Sequence, residues 1–240
     1  MKILLLHARD PDDPILDHEF ECFVARSGEP EASFAQINLT TTSPLGPELL
    51  EGASCVMVGG SGAYSLVKGG ADWFEPMLEL MREIVARKIP MFASCFGFQA
   101  LVVALGGELR AERDRAELGT YALTLTDEGR ADPLFSELPA TFDVQLGHND
   151  SVMSLPDGLV HLASTERCLY QAVRVPGAPI YATQFHPELT DQDNIKRYLR
   201  YLEHYILPGE SVAQAEERAY SMHRPSVAAN SMIERFLSLI

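Results

Sequence analysis

Apolar residues fall in short clusters along the chain, and the spacing inside each cluster predicts its element. Residues 2–8 form an apolar run that reads as a buried strand and ends in a polar, proline-punctuated loop. Residues 15–27 carry Ile15, Leu16, Phe20, Phe23 and Val24 at helical spacing and stop at Gly28. A strand over 34–39, a brief helix over 45–50 and a buried strand over 55–58 follow, the last running into the turn Gly59-Gly60-Ser61-Gly62. Residues 72–87 read as an amphipathic helix with Trp73, Met77, Leu80, Met81 and Ile84 inward. A strand over 89–93 and a helix over 96–105, closed by Gly106-Gly107, complete this half. Strands alternating with helices imply a parallel sheet covered on both faces.

The rhythm changes after residue 107. Residues 121–126 alternate with period two, and short strands are predicted at 142–146, 159–163, 169–175 and 180–185, an antiparallel signature. Helix returns over 191–206, and 209–240 holds one or two further helices around His223-Arg224-Pro225. No repeat, low-complexity tract or linker divides the chain. The expected fold class is α/β, a three-layer, open, mostly parallel sheet flanked by helices with a smaller antiparallel section. Residues 1–206 are expected to form one domain, with 207–240 a helical extension packed on it.

Composition narrows the partners. The 240 residues carry a formal net charge of −15, which argues against nucleic acid polymers and anionic membrane surfaces. No apolar run approaches the roughly 20 residues of a membrane span. The first residues are too short an apolar run for the ~7–15-residue core of a signal peptide. Cys22, Cys55, Cys95 and Cys168 show no CxxC spacing or evident histidine pairing. A reduced, cytoplasmic protein without a disulfide framework or zinc site is therefore expected.

Three stretches carry candidate chemistry. In Phe92-Ala93-Ser94-Cys95-Phe96-Gly97-Phe98-Gln99 a buried strand meets a helix at Cys95, the form of a nucleophile elbow with small residues to relieve the turn. A thiol at a helix start is favoured as thiolate by the dipole and free N–H groups. The alternative is a small apolar packing residue. In His186-Pro187-Glu188, proline biases the histidine toward extended backbone, so His186 and Glu188 share one side and the carboxylate can orient the imidazole. The alternative is a histidine and glutamate at a strand end, on the surface. The Gly59–Gly62 cluster follows a buried strand and can present N–H groups to an oxyanion, or simply turn the chain. It lacks the Gly-Lys-Ser/Thr of a phosphate loop.

Together these motifs resemble the class I, or triad, glutamine amidotransferase family, over roughly residues 2–206. Glu117-Leu118-Gly119 and the 147–152 segment, Gly147-His148-Asn149-Asp150-Ser151-Val152, match two further family pieces. Two positions depart: Ala93 and Asn149 stand where glycine is usual. The likeness, which includes a similarity to the glutaminase part of GMP synthase, implies a flavodoxin-like sheet and a triad of Cys95, His186 and Glu188. It further implies an oxyanion hole from the Gly60 and Phe96 N–H groups, and glutamine bound by Gln99, Asn149 and Asp150. It implies no metal or organic cofactor, and a synthase subunit that accepts ammonia; a homo-oligomer is a further expectation. Two other readings stay open: a γ-glutamyl hydrolase or peptidase on the same triad, and a non-catalytic regulatory protein on the same scaffold. No chemistry is expected of His7, His18, His161, His204 and His223, while His148, within the 147–152 segment, stays open.

Overall fold

The computed structural model describes residues 1–111 and 115–240. Strand β1 (Ile3–Ala8) is buried along its whole length. Its side chains alternate between two cores: Leu4, Leu6 and Ala8 face one, Ile3 and Leu5 the other. A strand covered on both faces needs no polar side, which is why this run shows no alternation in sequence. The first core is closed by helices α2 (Phe74–Ala86) and α3 (Phe96–Ala104), the second partly by α1 (Ile15–Ser27). The layers are helix, sheet, helix. Helix α1 ends at Gly28 with φ of 70°, the left-handed cap that glycine adopts without strain.

The remaining strands are β2 (Phe34–Asn38), β3 (Cys55–Ser61), β4 (Met91–Ser94), β5 (Glu108–Ala111), β6 (Glu117–Leu125), β7 (Thr141–His148), β8 (Asp150–Ser154), β9 (Val160–Ser164), β10 (Ala172–Val175) and β11 (Ile180–Thr183). Nine of the strands form one sheet in the order β2-β1-β3-β4-β11-β10-β9-β6-β7. The β2-β1-β3-β4-β11 section is parallel and the β11-β10-β9-β6-β7 section antiparallel. The division expected from the sequence, parallel first and antiparallel after residue 107, holds. Its one crossing is β11, which returns to lie beside β4.

Several boundaries differ from the sequence reading. Strand β3 does not turn at Gly59 but runs on through Gly59, Gly60 and Ser61, with Ser61 paired to Ala8. The glycines are there for close approach: a Cβ on Gly59 would lie 2.6 Å from the Glu19 carboxyl. The 45–50 segment is a single 3-10 turn, Pro47–Leu50. The 147–152 segment is the end of β7 and the start of β8, turning at exposed Asn149. Strand β8 pairs with β5 in a separate two-stranded sheet that the mostly exposed β5 did not announce. The helix expected over 191–206 is α5 (Asp191–Arg200) followed by a 3-10 turn, Leu202–His204. Helix α4 (Asp127–Ala131) is short and capped by Thr126.

Helices α6 (Val212–Met222), α7 (Val227–Asn230) and α8 (Met232–Leu237) follow. Ala229, Met232, Ile233, Phe236 and Leu237 enter the second core. The Phe236 ring meets Phe92 of β4 at 5.6 Å and Tyr181 of β11 at 6.2 Å.

Candidate active site

Strands β3, β4 and β11 are neighbours and parallel, so their carboxyl ends open onto one crevice. Cys95 follows β4, Gly60 lies at the end of β3, and His186 stands three residues beyond β11. Cys95 adopts φ 50° and ψ −99°, one of two non-glycine residues with positive φ among those described. Such backbone costs about 1–3 kcal/mol and persists only where its surroundings hold it. Here the Cys95 N–H donates to Thr183 O at 2.8 Å, and the Cys95 carbonyl accepts from Gln99 N at 3.1 Å. Gly97 makes the elbow possible, since a Cβ there would lie 2.8 Å from Val58 Cβ and 3.0 Å from Ala93 Cβ. The extra methyl of Ala93 is thus accommodated, fully buried, by the missing one at Gly97.

His186 is 5% exposed, and its Nδ1 meets Glu188 Oε1 at 2.7 Å. Burial disfavours the imidazolium, but the Glu188 carboxylate and the nearby Cys95 sulfur outweigh it and raise the His186 pKa to about 9. Burial likewise works against the Glu188 carboxylate; His186 and Arg197 overcome it and hold the carboxyl below its usual range. Arg197 Nη1 lies 3.6 Å from Glu188 Oε1. A Cβ on Gly60 would stand 2.9 Å from His186 Cε1 and 3.8 Å from Cys95 Cβ, so Gly60 occupies the gap between base and thiol. Phe96 opens α3, whose first-turn N–H groups lack intrahelical acceptors.

Cys95, His186, Glu188, Gly60 and Phe96 are therefore brought together. Gly60 carries one difference: its N–H donates to Glu19 Oε1 at 3.2 Å. Glu19 is fully buried and also receives Arg9 Nη2 at 3.1 Å and His7 at 2.8 Å. Gln99 is buried and its amide nitrogen donates to Asp150 O at 3.0 Å and Gln184 Oε1 at 3.1 Å. Gln184 Nε2 in turn lies 3.6 Å from the Cys95 sulfur. Asp150 accepts from Ser65 Oγ at 2.5 Å, whereas Asn149 is exposed at the turn. His148 packs behind this turn, between Glu117 Oε2 at 3.1 Å and Asp150 O at 2.9 Å. A cleft of about 50 Å³ opens beside His186, lined among others by Arg9, Gly62, Gly147, Arg197 and Tyr205. That exceeds the roughly 10–15 Å³ that one water needs.

Glu19, Arg9, Arg197 and Gln184 went unnoticed in the sequence. Arg9 could have been flagged as the cation ending β1 at the crevice; Glu19 and Arg197 sit on helix faces with no motif. Two three-residue groups among the described residues have metal-ligand chemistry: His18, Cys22, Asp193 and Glu117, His148, Cys168. The four cysteines are all unbridged.

The sequence family described as glutamine amidotransferase class-I matches residues 31–202, and the chain belongs to this family. Among curated relatives, the glutamine-hydrolyzing GMP synthase of Aliivibrio salmonicida is 37% identical over 119 residues, half of this chain and 22% of that protein. In Methanocaldococcus jannaschii, a protein named as one subunit of glutamine-hydrolyzing GMP synthase is 33% identical over 124 residues, covering 52% of this chain and 63% of that one. The chain thus matches about a fifth of the length of the first relative. Among solved structures, a glutamine amido transferase from Methylobacillus flagellatus aligns over 99% of this chain and 94% of its own, with a TM-score of 0.73 at 19% identity. A glutamine amidotransferase from Thermotoga maritima gives 0.69 at 20% identity, covering 99% and 97%. These two likenesses establish the fold, an α/β sheet flanked by helices. No helix among the described residues is long and apolar enough to cross a membrane.

Proposed function

We propose that this chain hydrolyses the side-chain amide of glutamine through a Cys95 thioester. The observation that carries the reading is Cys95 on a strained elbow, with Gly60 in the gap between it and a buried His186 that Glu188 holds at 2.7 Å. The proton of the Cys95–His186 pair rests on the imidazole, which Glu188 keeps charged, and the sulfur attacks the amide carbon as the thiolate. The carbonyl oxygen becomes an oxyanion facing the Phe96 N–H at the start of α3. Gly60 N–H is the second donor, and serving so requires it to leave Glu19. As the C–N bond breaks, His186 returns its proton to the departing ammonia. A water then loses a proton to His186 and attacks the thioester, glutamate is released, and the sulfur leaves as the thiolate beside the protonated His186. Glu188 keeps the imidazole in one orientation throughout.

Gln99 and the Asn149–Asp150 turn bind the amino-acid end of glutamine in this reading. A separate synthase chain takes the ammonia; the likeness to a protein named as one subunit of GMP synthase supports such a partner. The test is ammonia release from glutamine and from γ-glutamyl peptides by the wild type and Cys95→Ala. Release from glutamine, lost in the variant, supports the proposal. Release from the peptides alone overturns glutamine as substrate, and unchanged release by the variant overturns the role of Cys95.

A further inference from the structure

His18 and Cys22 stand one turn apart on the same face of α1, and Asp193 lies in the first turn of α5 opposite them. The His18 Nε2, Cys22 Sγ and Asp193 carboxylate atoms all lie within 4.8 Å of one another. His18 Nε2 is 3.1 Å from Asp193 Oδ1 and 3.6 Å from Cys22 Sγ. Zinc bonds of about 2.0–2.3 Å in a tetrahedron set ligand atoms roughly 3.3–3.8 Å apart. Two edges of the triangle are thus already close to the length an ion needs. We infer that His18, Cys22 and Asp193 form a binding site for a divalent transition-metal ion of the zinc class, tying α1 to α5.

The donor set, one sulfur, one imidazole nitrogen and one carboxylate oxygen, suits a borderline-soft ion over magnesium or calcium. The site has support behind it. Asp193 Oδ2 is held by the Thr190 N–H at 3.0 Å and the Thr190 hydroxyl at 2.6 Å, which aims Oδ1 at His18. His18 Nδ1 is buried and makes no hydrogen bond, so shifting the ring proton there to free Nε2 breaks none. The Asp193 side chain is 28% exposed, so the group is open to solvent on that side. The other group is different in kind. In Glu117, His148 and Cys168 both ring nitrogens and both carboxylate oxygens already have partners, and all three residues are enclosed.

The ion must displace the thiol proton. Binding therefore releases a proton and strengthens as pH rises.

The test is titration of the full-length chain with cobalt(II), read by thiolate-to-metal charge transfer and by the visible bands of tetrahedral cobalt, with far-UV circular dichroism on each variant. The expected result is saturation at one ion per chain, in the wild type and equally in Cys95→Ala and Cys168→Ser. Cys22→Ser loses the charge-transfer band; His18→Gln and Asp193→Asn bind at least about tenfold more weakly. Should Cys22→Ser fail to fold, His18→Gln carries the same reading. No band in the wild type overturns the proposal, as does a band that survives in Cys22→Ser or disappears in Cys95→Ala. None of these readouts depends on glutaminase activity.

Discussion

Glu188→Gln is the sharpest perturbation of the proposed triad. The carboxylate is fully buried, 2.7 Å from His186 Nδ1, and is the foremost group keeping the imidazolium charged against burial. The rise of His186 from 6.5 to about 9 corresponds to roughly 3 kcal/mol, at about 1.4 kcal/mol per tenfold. Burial works against this rise, so Glu188 and Cys95 together supply more than the net shift, and losing the Glu188 charge lowers the proton affinity of His186. A glutamine can also turn its NH2 toward Nδ1 and impose the wrong tautomer, so the expected loss in kcat/KM is on the order of 10²-fold. Breaking a buried ion pair also destabilises the fold, by about 3–5 kcal/mol; Arg197, 3.6 Å away, loses its countercharge. The assay is coupled detection of glutamate across a pH series, well below the variant's melting temperature. The His186 pKa is followed by NMR and should fall. A variant within threefold of the wild type, with an unmoved His186 titration, would refute the reasoning.

Other substitutions test neighbouring parts of the account. In Gly60→Ala the new Cβ meets His186 Cε1 at 2.9 Å, so kcat should fall at least about tenfold as the ring is displaced; steady-state kinetics that match the wild type contradict that packing. Phe236→Ala, at 0% exposure against Phe92 and Tyr181, should cost about 3–5 kcal/mol in urea unfolding, and a surface-like loss under about 1 kcal/mol would separate the C-terminal helices from the core. His186 also links stability to pH. Its folded pKa, about 9, exceeds the ordinary 6.5, so its contribution is complete below pH 6.5 and lost as pH rises through 9. Urea midpoints taken over that range should fall in the wild type, less so in Glu188→Gln.

The layered α/β fold was legible because strands buried on both faces leave unbroken apolar runs, and because the elbow and the His-Pro-Glu segment are local motifs. The continuation of β3 through Gly59 and Gly60 was not: glycines read as a turn, and only tertiary contact with Glu19 and His186 explains them. Strand β5 escaped notice since its exposed residues bury too little to leave a pattern. Glu19 and Arg197 act through residues distant in sequence, and no spacing reports that. His18 and Cys22 are different: their four-residue spacing on a predicted helix was passed over as no pairing, and Asp193, from α5, was hidden. Asn149, expected to bind substrate, is exposed at its turn, while Asp150 beside it is buried.

The central claim is a covalent intermediate on Cys95. Incubating the protein with glutamine, quenching in acid and weighing the Cys95 peptide measures it directly. The account predicts a γ-glutamyl adduct on that peptide which decays as glutamate appears and is absent from Cys95→Ala. Ammonia release with an adduct on another residue, or undiminished release by Cys95→Ala, would contradict it.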